Sequence, residues 1–191
     1  MVNDDTQLIA ATLQGDTGSF GVLVRKYQDR VFNAIFHVVG NRHEAEDLAQ
    51  DTFVQAFLKL ESFRGGSAFY TWVYRIAFNL TASRQRRKRP LLSVEDQREQ
   101  TGADPADRGE LPEEQLLRDE RVEQVRAALQ SLNDEFRTIL VLREIEGCDY
   151  ESIAEILNLA PGTVRSRLHR ARAELRERLG EALQESPVER T

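Results

Sequence analysis

Apolar residues in this chain recur three and four positions apart from Leu8 to Leu80 and again from Leu117 to Leu175, and no stretch alternates as a half-buried strand would. Such spacing puts one apolar stripe along each helix and leaves no material for a sheet, so the expected fold class is all-α. A first helix carries Leu8, Ile9, Thr12 and Leu13 on one face and stops near Gly15. A second buries Phe20, Leu23, Val24, Tyr27, Val31 and Ile35 and ends at Gly40 and Asn41. The segment 41-NRHE-44 resembles a capping box with Asn in place of Ser or Thr. It opens a third helix whose inner face is Ala45, Leu48, Ala49, Thr52, Ala56, Phe57 and Leu60. After the loop 62-SFRGGS-67, a fourth helix buries Phe69, Val73, Ile76, Ala77 and Leu80, runs into 84-RQRRKR-89 and is stopped by Pro90.

This pattern breaks once. Residues 95 to 123 hold eleven Asp or Glu against four Arg, with Gly102, Pro105, Gly109 and Pro112 and almost no aliphatic side chains before Leu116. A stretch so charged and so poor in apolar groups cannot offset the entropy of ordering itself, which marks it as a linker. The 191 residues therefore divide into a helical domain at 1–91, an acidic flexible linker at 92–115, a second helical domain at 116–185 and a tail at 186–191. Periodicity in the second domain runs through Leu117, Val122, Val125, Ala128, Leu129 and Leu132, then Phe136, Ile139, Leu140 and Leu142.

The formal net charge of -6 hides a segregation of sign. Residues 84–89 hold five cations and no anion, and residues 161–178 hold six arginines against Glu174 and Glu177. Affinity for a polyanion depends on the local density of cations facing phosphates, so two basic surfaces on an acidic chain are compatible with nucleic acid. Membrane insertion is not expected. The longest apolar stretch, 31-VFNAIFHVVG-40, is interrupted by Asn33 and His37 and is about half of what a bilayer needs. The N-terminus has neither the basic start nor the apolar run of a secretory signal, which points to a cytoplasmic protein. A single Cys148 precludes an internal disulfide, and His37, His43 and His169 lack the spacing of metal ligands, so no metal, cofactor or redox chemistry is expected.

In 149-DYESIAEILNLAPGTVRSRLHRARAELRERL-179, Asp149 suits the cap of a short helix burying Ile153, Ala154 and Leu157. Asn158 to Ala160 form a turn, and Pro161 suits the first position of the next helix, where its missing N–H costs nothing. Ala154 is small where two helices joined by so short a turn must cross closely. The second helix buries Val164, Leu168, Ala171 and Leu175 and presents Thr163, Arg165, Ser166, His169, Arg170 and Arg172 on its other face. This is the pattern of a helix-turn-helix whose recognition helix meets base edges in the major groove. A solvated, ion-paired surface helix would share the charge but not the turn, the proline and the cation excess together.

Three motifs in order, 44-EAEDLAQDTFVQAF-57, 63-FRGGSAFYTWVYRIAFN-79 and 161-PGTVRSRLHRAR-172, resemble the extracytoplasmic-function (ECF) sigma factors of bacterial RNA polymerase, of the sigma-E/sigma-W type. The resemblance implies an N-terminal region 2 domain that binds core polymerase and the minus-10 element, a flexible linker, and a C-terminal region 4 domain that reads the minus-35 element. It also implies docking on the largest-subunit clamp and the flap, promoter DNA as ligand, an anti-sigma factor as partner, and a non-enzymatic role. At helical spacing, Glu44, Asp47, Gln50 and Asp51 form an acidic and amide ridge opposite the apolar face. The resemblance assigns this ridge, with Leu48, to the polymerase clamp; plain solvent exposure is the alternative.

Aromatic side chains beside cations suit single-stranded DNA, whose bases stack and whose phosphates need neutralising. The minus-10 candidates are Phe63, Arg64, Ser67, Tyr70, Trp72, Tyr74, Arg75, Asn79, Arg84 and Arg87, with Phe69 assigned to the core and Trp72 at least half to it. Within that set the i,i+4 pair Tyr70 and Tyr74 and the loop from Phe63 to Ser67 stand out for strand contact. In the family this loop helps capture a flipped base, and Gly65 and Gly66 would permit close approach of the backbone. The minus-35 candidates are Thr163, Arg165, Ser166, His169 and Arg170. His169 stands where relatives often carry an aromatic or aliphatic residue, and 65-GG-66 replaces a Gly followed by an acid, departures that bear on promoter preference. A stand-alone helix-turn-helix regulator is the rival among binding proteins. A metal-dependent nuclease is the rival among enzymes, although carboxylates on one helix lack further ligands.

Overall fold

A computed structural model describes residues 4–88 and 112–185, and among these residues the chain is helical throughout, with no strand. The first domain holds α1 (Asp4–Leu13), α2 (Thr17–Val39), α3 (Arg42–Leu58), a single 3-10 turn (Leu60–Ser62) and α4 (Phe69–Lys88). The second holds α5 (Pro112–Ser131), α6 (Asp134–Leu140) continuing into a π turn (Val141–Ile145), α7 (Tyr150–Leu157) and α8 (Pro161–Glu185). The expected linker lies outside the described residues except for its end. Pro112 opens α5 four residues before the expected boundary, at the one helical position where proline is at no disadvantage.

Helix α2 is the axis of the first domain. Leu23, Val31, Ala34, Ile35 and Val38 are buried on it, against Ala45, Leu48 and Ala56 of α3 and Val73 and Ala77 of α4. Each large side chain so buried contributes roughly 1.5–3 kcal/mol. Asp16 caps α2 by accepting the Gly18 N–H, and Gly40 ends it in the left-handed region at φ 74°, a conformation that L side chains resist. Helix α1 is fixed to α2 by a buried Asp5, whose carboxylate takes the Tyr27 hydroxyl and the Lys26 ammonium. Burial and Asp5 together push the Tyr27 hydroxyl up to about 12, so it remains a donor to that carboxylate.

Several side chains depart from the periodic expectation. Leu13 is half exposed because α1 packs on α2 by its other face. On α3, Phe53 enters the core in place of Phe57, whose ring instead meets Phe20 edge-on at 5.1 Å at the surface. Val122 and Val125 are exposed, whereas Ala128 and Leu129, further along α5, and Leu132 just past its end are buried. Ile76, Leu80, Leu157 and Leu175 are half-buried, while Ile156, absent from the expected face of α7, is fully enclosed.

Asn41 does cap α3, accepting the Glu44 N–H at 2.9 Å, but the reciprocal half of the capping box is missing. The Glu44 carboxylate turns away to Lys88 at 2.6 Å and Arg84 at 3.5 Å, because two full cations outcompete one backbone N–H.

Candidate nucleic-acid interface

The helix-turn-helix forms as its local chemistry dictates. Asp149 accepts the Ser152 N–H at 2.7 Å at the start of α7, and Asn158 takes the left-handed conformation at φ 52° that ends it. The Leu159 N–H then returns to the Ala154 carbonyl at 2.9 Å, and Pro161 begins α8. With Val164, Leu168 and Ala171 buried, the opposite face of α8 is fixed. Arg165, Ser166, His169 and Arg170 are exposed there and Thr163 is half-buried.

The arginines of this helix fall into two groups. Arg167 is paired with Glu135 at 3.1 Å and Arg172 with Glu144 at 2.7 Å, so both hold α8 to its own domain. Arg165 and Arg170 have no carboxylate partner among the described residues. Arg172, read from sequence as part of the open face, is corrected to a structural ion pair.

The loop before α4 forms a second site. Phe63 packs edge-on against Phe69 at 5.7 Å and tilted on Trp72 at 5.3 Å, while Arg64 is exposed. Gly65 takes φ 70°, so the loop turns there, with open space where a Cβ would sit. Loop and α1 enclose a pocket of about 410 Å³ lined by Phe63, Gly65, Gly66 and Ser67 on one side and by Asp5, Thr6 and Ile9 on the other. The contribution of α1 had no sequence signal, because it depends on how the first turn folds back over the loop.

Along α4 the candidates separate. Asn79 and Arg87 are exposed, Arg84 is half-buried against Glu44 and Asp47, and Trp72 is 5% exposed. The expectation that Tyr70 and Tyr74 are open to a strand is corrected in this arrangement. Tyr74 is 2% exposed, donating to the Glu146 carboxylate, and Tyr70 lies half-buried with its hydroxyl 3.5 Å from that of Ser152. Burial, reinforced by Glu146, raises the Tyr74 hydroxyl well above its ordinary value, which keeps it protonated. Arg75 faces Glu155 at 3.9 Å. The second domain thus meets all three, through Ser152 and Glu155 of α7 and Glu146 ahead of it.

On α3, Asp47, Gln50 and Asp51 are exposed, as a polar ridge requires. Glu44 is not part of its open surface and Leu48 is buried in the core, so neither side chain is offered to a partner. Beside the ridge runs a feature the sequence concealed, an apolar groove of about 580 Å³ between α2 and α3 lined by Phe20, Val24, Phe32, Phe53, Val54 and Phe57, with Gln50 on its wall. It was hidden because Phe57 has the spacing of a core residue.

Two family models match the chain, Sigma-70 region 2 over residues 23–90 and Sigma-70, region 4 over residues 122–175. The RNA polymerase sigma-H factor of Pseudomonas aeruginosa is 40% identical over 187 residues, covering 95% of this chain and 97% of that protein. The ECF RNA polymerase sigma factor SigW of Bacillus subtilis is 37% identical over 174 residues, covering 87% and 91%. The chain belongs to the ECF sigma factors. Among solved structures, the sigma factor RpoE of Bartonella quintana in complex with the anti-sigma factor NepR superimposes with a TM-score of 0.69 at 29% identity, over 84% of this chain and 96% of that one. CnrH, bound to the cytosolic domain of CnrY, gives the same TM-score at 25% identity over 94% and 99%.

The sigma factor thus directs promoter-specific transcription initiation by RNA polymerase, with the region 2 match running from within α2 through α4 and the region 4 match taking in α7 and the first part of α8. No helix among the described residues is long and apolar enough to cross a membrane. Cys148 is buried, and burial with Glu146 nearby pushes its thiol up to about 11, which leaves it protonated and unreactive at neutral pH.

Proposed function

We propose the following division of labour. The ridge of Asp47, Gln50 and Asp51, with the adjoining groove, docks on the clamp of the polymerase largest subunit. The pocket of Phe63, Gly65, Gly66 and Ser67, with Arg64 in the same loop, receives bases of the melted minus-10 strand, and Asn79 and Arg87, further along α4, meet the strand beyond it. The face of Arg165, Ser166, His169 and Arg170 enters the minus-35 major groove, while region 4 contacts the polymerase flap. The observation that carries the reading is the sorting of cations on α8, where Arg165 and Arg170 are left exposed while Arg167 and Arg172 are paired inward. An ion-paired solvent face would have shown no such division.

The chain performs no covalent chemistry in this reading, since the unstacking of a base, worth a few kcal/mol, is offset by binding alone. It acts in the cytoplasm, at the nucleoid when bound to polymerase, and is held by an anti-sigma factor, a partner suggested by the solved complexes of its neighbours. The test is reconstitution of the purified chain with bacterial core polymerase and a promoter library. Initiation from a defined subset of promoters, abolished by Asp47→Lys with Asp51→Lys, supports the assignment. Tight promoter binding without polymerase would sink it in favour of a stand-alone regulator, and magnesium-dependent strand cleavage in favour of a nuclease.

A further inference from the structure

Within the first domain, the basic end of α4 packs against the acidic start of α3. The two acids there are not served alike. Glu44, whose side chain is 10% exposed, has the Lys88 ammonium on its Oε2 at 2.6 Å. Its Oε1 is buried and accepts no hydrogen bond, and the Arg84 Nε stands off from it at 3.5 Å. The other side of the same guanidinium sends Nη2 to the Asp47 Oδ2 at 3.4 Å. A guanidinium is a planar fork able to serve two acceptors, but here it spans both carboxylates and makes a close contact with neither.

Asp47 is also the odd member of the polymerase ridge. Its side chain is 64% exposed, as a docking residue needs, and yet it already holds a cation of its own chain. Asp51, one turn further along α3, is exposed and has no cation partner among the described residues. An acidic ridge selects a basic partner surface. A partner cation brought to Asp47 therefore meets Arg84 already there, and like charges crowded on one carboxylate repel each other.

We propose that Arg84 is an internal competitor for the polymerase clamp, holding Asp47 in the free chain and passing to the unfilled Glu44 oxygen when a clamp cation takes Asp47. The inference rests on the assignment of the ridge to the clamp. A buried carboxylate oxygen without a donor is costly, so Glu44 gains what Asp47 gives up and the displaced guanidinium is not stranded. Arg84 thereby lowers the affinity for core polymerase without blocking it, and sets how much core this sigma factor holds at a given concentration.

The experiment titrates the labelled full chain with core polymerase across a salt series, with thermal melts confirming that each variant is folded. Arg84→Met keeps the apolar stem and loses the charge. It is expected to bind core roughly two- to fivefold more tightly, the range of an exposed ion pair, with the gain shrinking as salt rises. On an Asp47→Asn background the same substitution is expected to change nothing, a dependence that loosened packing would not produce. Glu44→Gln, which takes the charge from the alternative acceptor, is expected to act in the opposite direction and weaken core binding. Asp47→Asn binding core as tightly as the parent removes the docking assignment, and this inference with it. If Asp47→Asn does weaken binding, no gain from Arg84→Met, or an equal gain on both backgrounds, overturns the competition and leaves the assignment standing. A Glu44→Gln variant that binds core like the parent overturns the transfer to Glu44.

Discussion

Arg165 and Arg170 show how little separates a structural from a functional arginine on one helix. Arg167 follows Arg165 by two positions and Arg172 follows Arg170 by two, a rotation of roughly 160° around an α-helix, and it is the second of each pair that meets a carboxylate, Glu135 or Glu144. Arg165→Ala is expected to weaken minus-35 promoter binding by about 1–3 kcal/mol if its guanidinium reads a base edge. Gel-shift titrations on matched and scrambled minus-35 DNA check this, because an equal loss on both would make it a phosphate contact. His37 offers a residue-scale test of stability. Burial, then Arg126, holds its imidazole below the ordinary 6.5, with Glu146 opposing, so folding favours the neutral ring. The unfolded chain therefore binds the proton first, and stability present above pH 6.5 is lost as pH falls below it. Thermal melts between pH 7.5 and 5.5 should show a steeper decline for the parent than for His37→Gln.

Among the elements, α4 carries more roles than its periodicity suggests. Its first turns face the loop pocket, its middle packs against α7, and its basic end ties Arg84 and Lys88 to Glu44 and Asp47 of α3. Charges that are segregated in sequence thus meet in space, and the ridge is partly neutralised from behind. Sequence periodicity located α1 to α4, α7 and α8, with the Asp149 cap and the Pro161 start of the helix-turn-helix, because those features depend on residues within one or two turns, but it ran α5 and α6 together across the Asn133 cap. The inward side of α3 was also legible, with Ala45, Leu48, Ala49, Thr52 and Ala56 buried, but at its edge the neighbouring helices decided that Phe53 and not Phe57 enters the core. The cap on α2 is a second element-scale feature, since Arg137 serves four carbonyls at once. Arg137→Lys, with a single ammonium, leaves some of them unserved and is expected to lower stability by about 1–3 kcal/mol in urea unfolding.

For the whole molecule, the distribution of charge matters more than its sum. Residues 95 to 111 carry six acids against two arginines, between two bodies that each bear a basic face. This acidity is expected to discourage nonspecific collapse on DNA. Replacing those acids with their amides should therefore raise affinity for non-promoter DNA and steepen its loss with salt, measured by anisotropy across a salt series. The domain plan, the helix-turn-helix and the family were all set by local spacing and composition, which any helix of this sequence would express. Only the tertiary structure decided that Tyr70, Tyr74 and Arg75 meet the second domain, that α1 walls the loop pocket, and that Glu146 and Arg137 join the two domains. Those contacts link residues up to 116 positions apart, as Arg30 and Glu146 are, and nothing in the spacing of one helix encodes which distant surface will cover it.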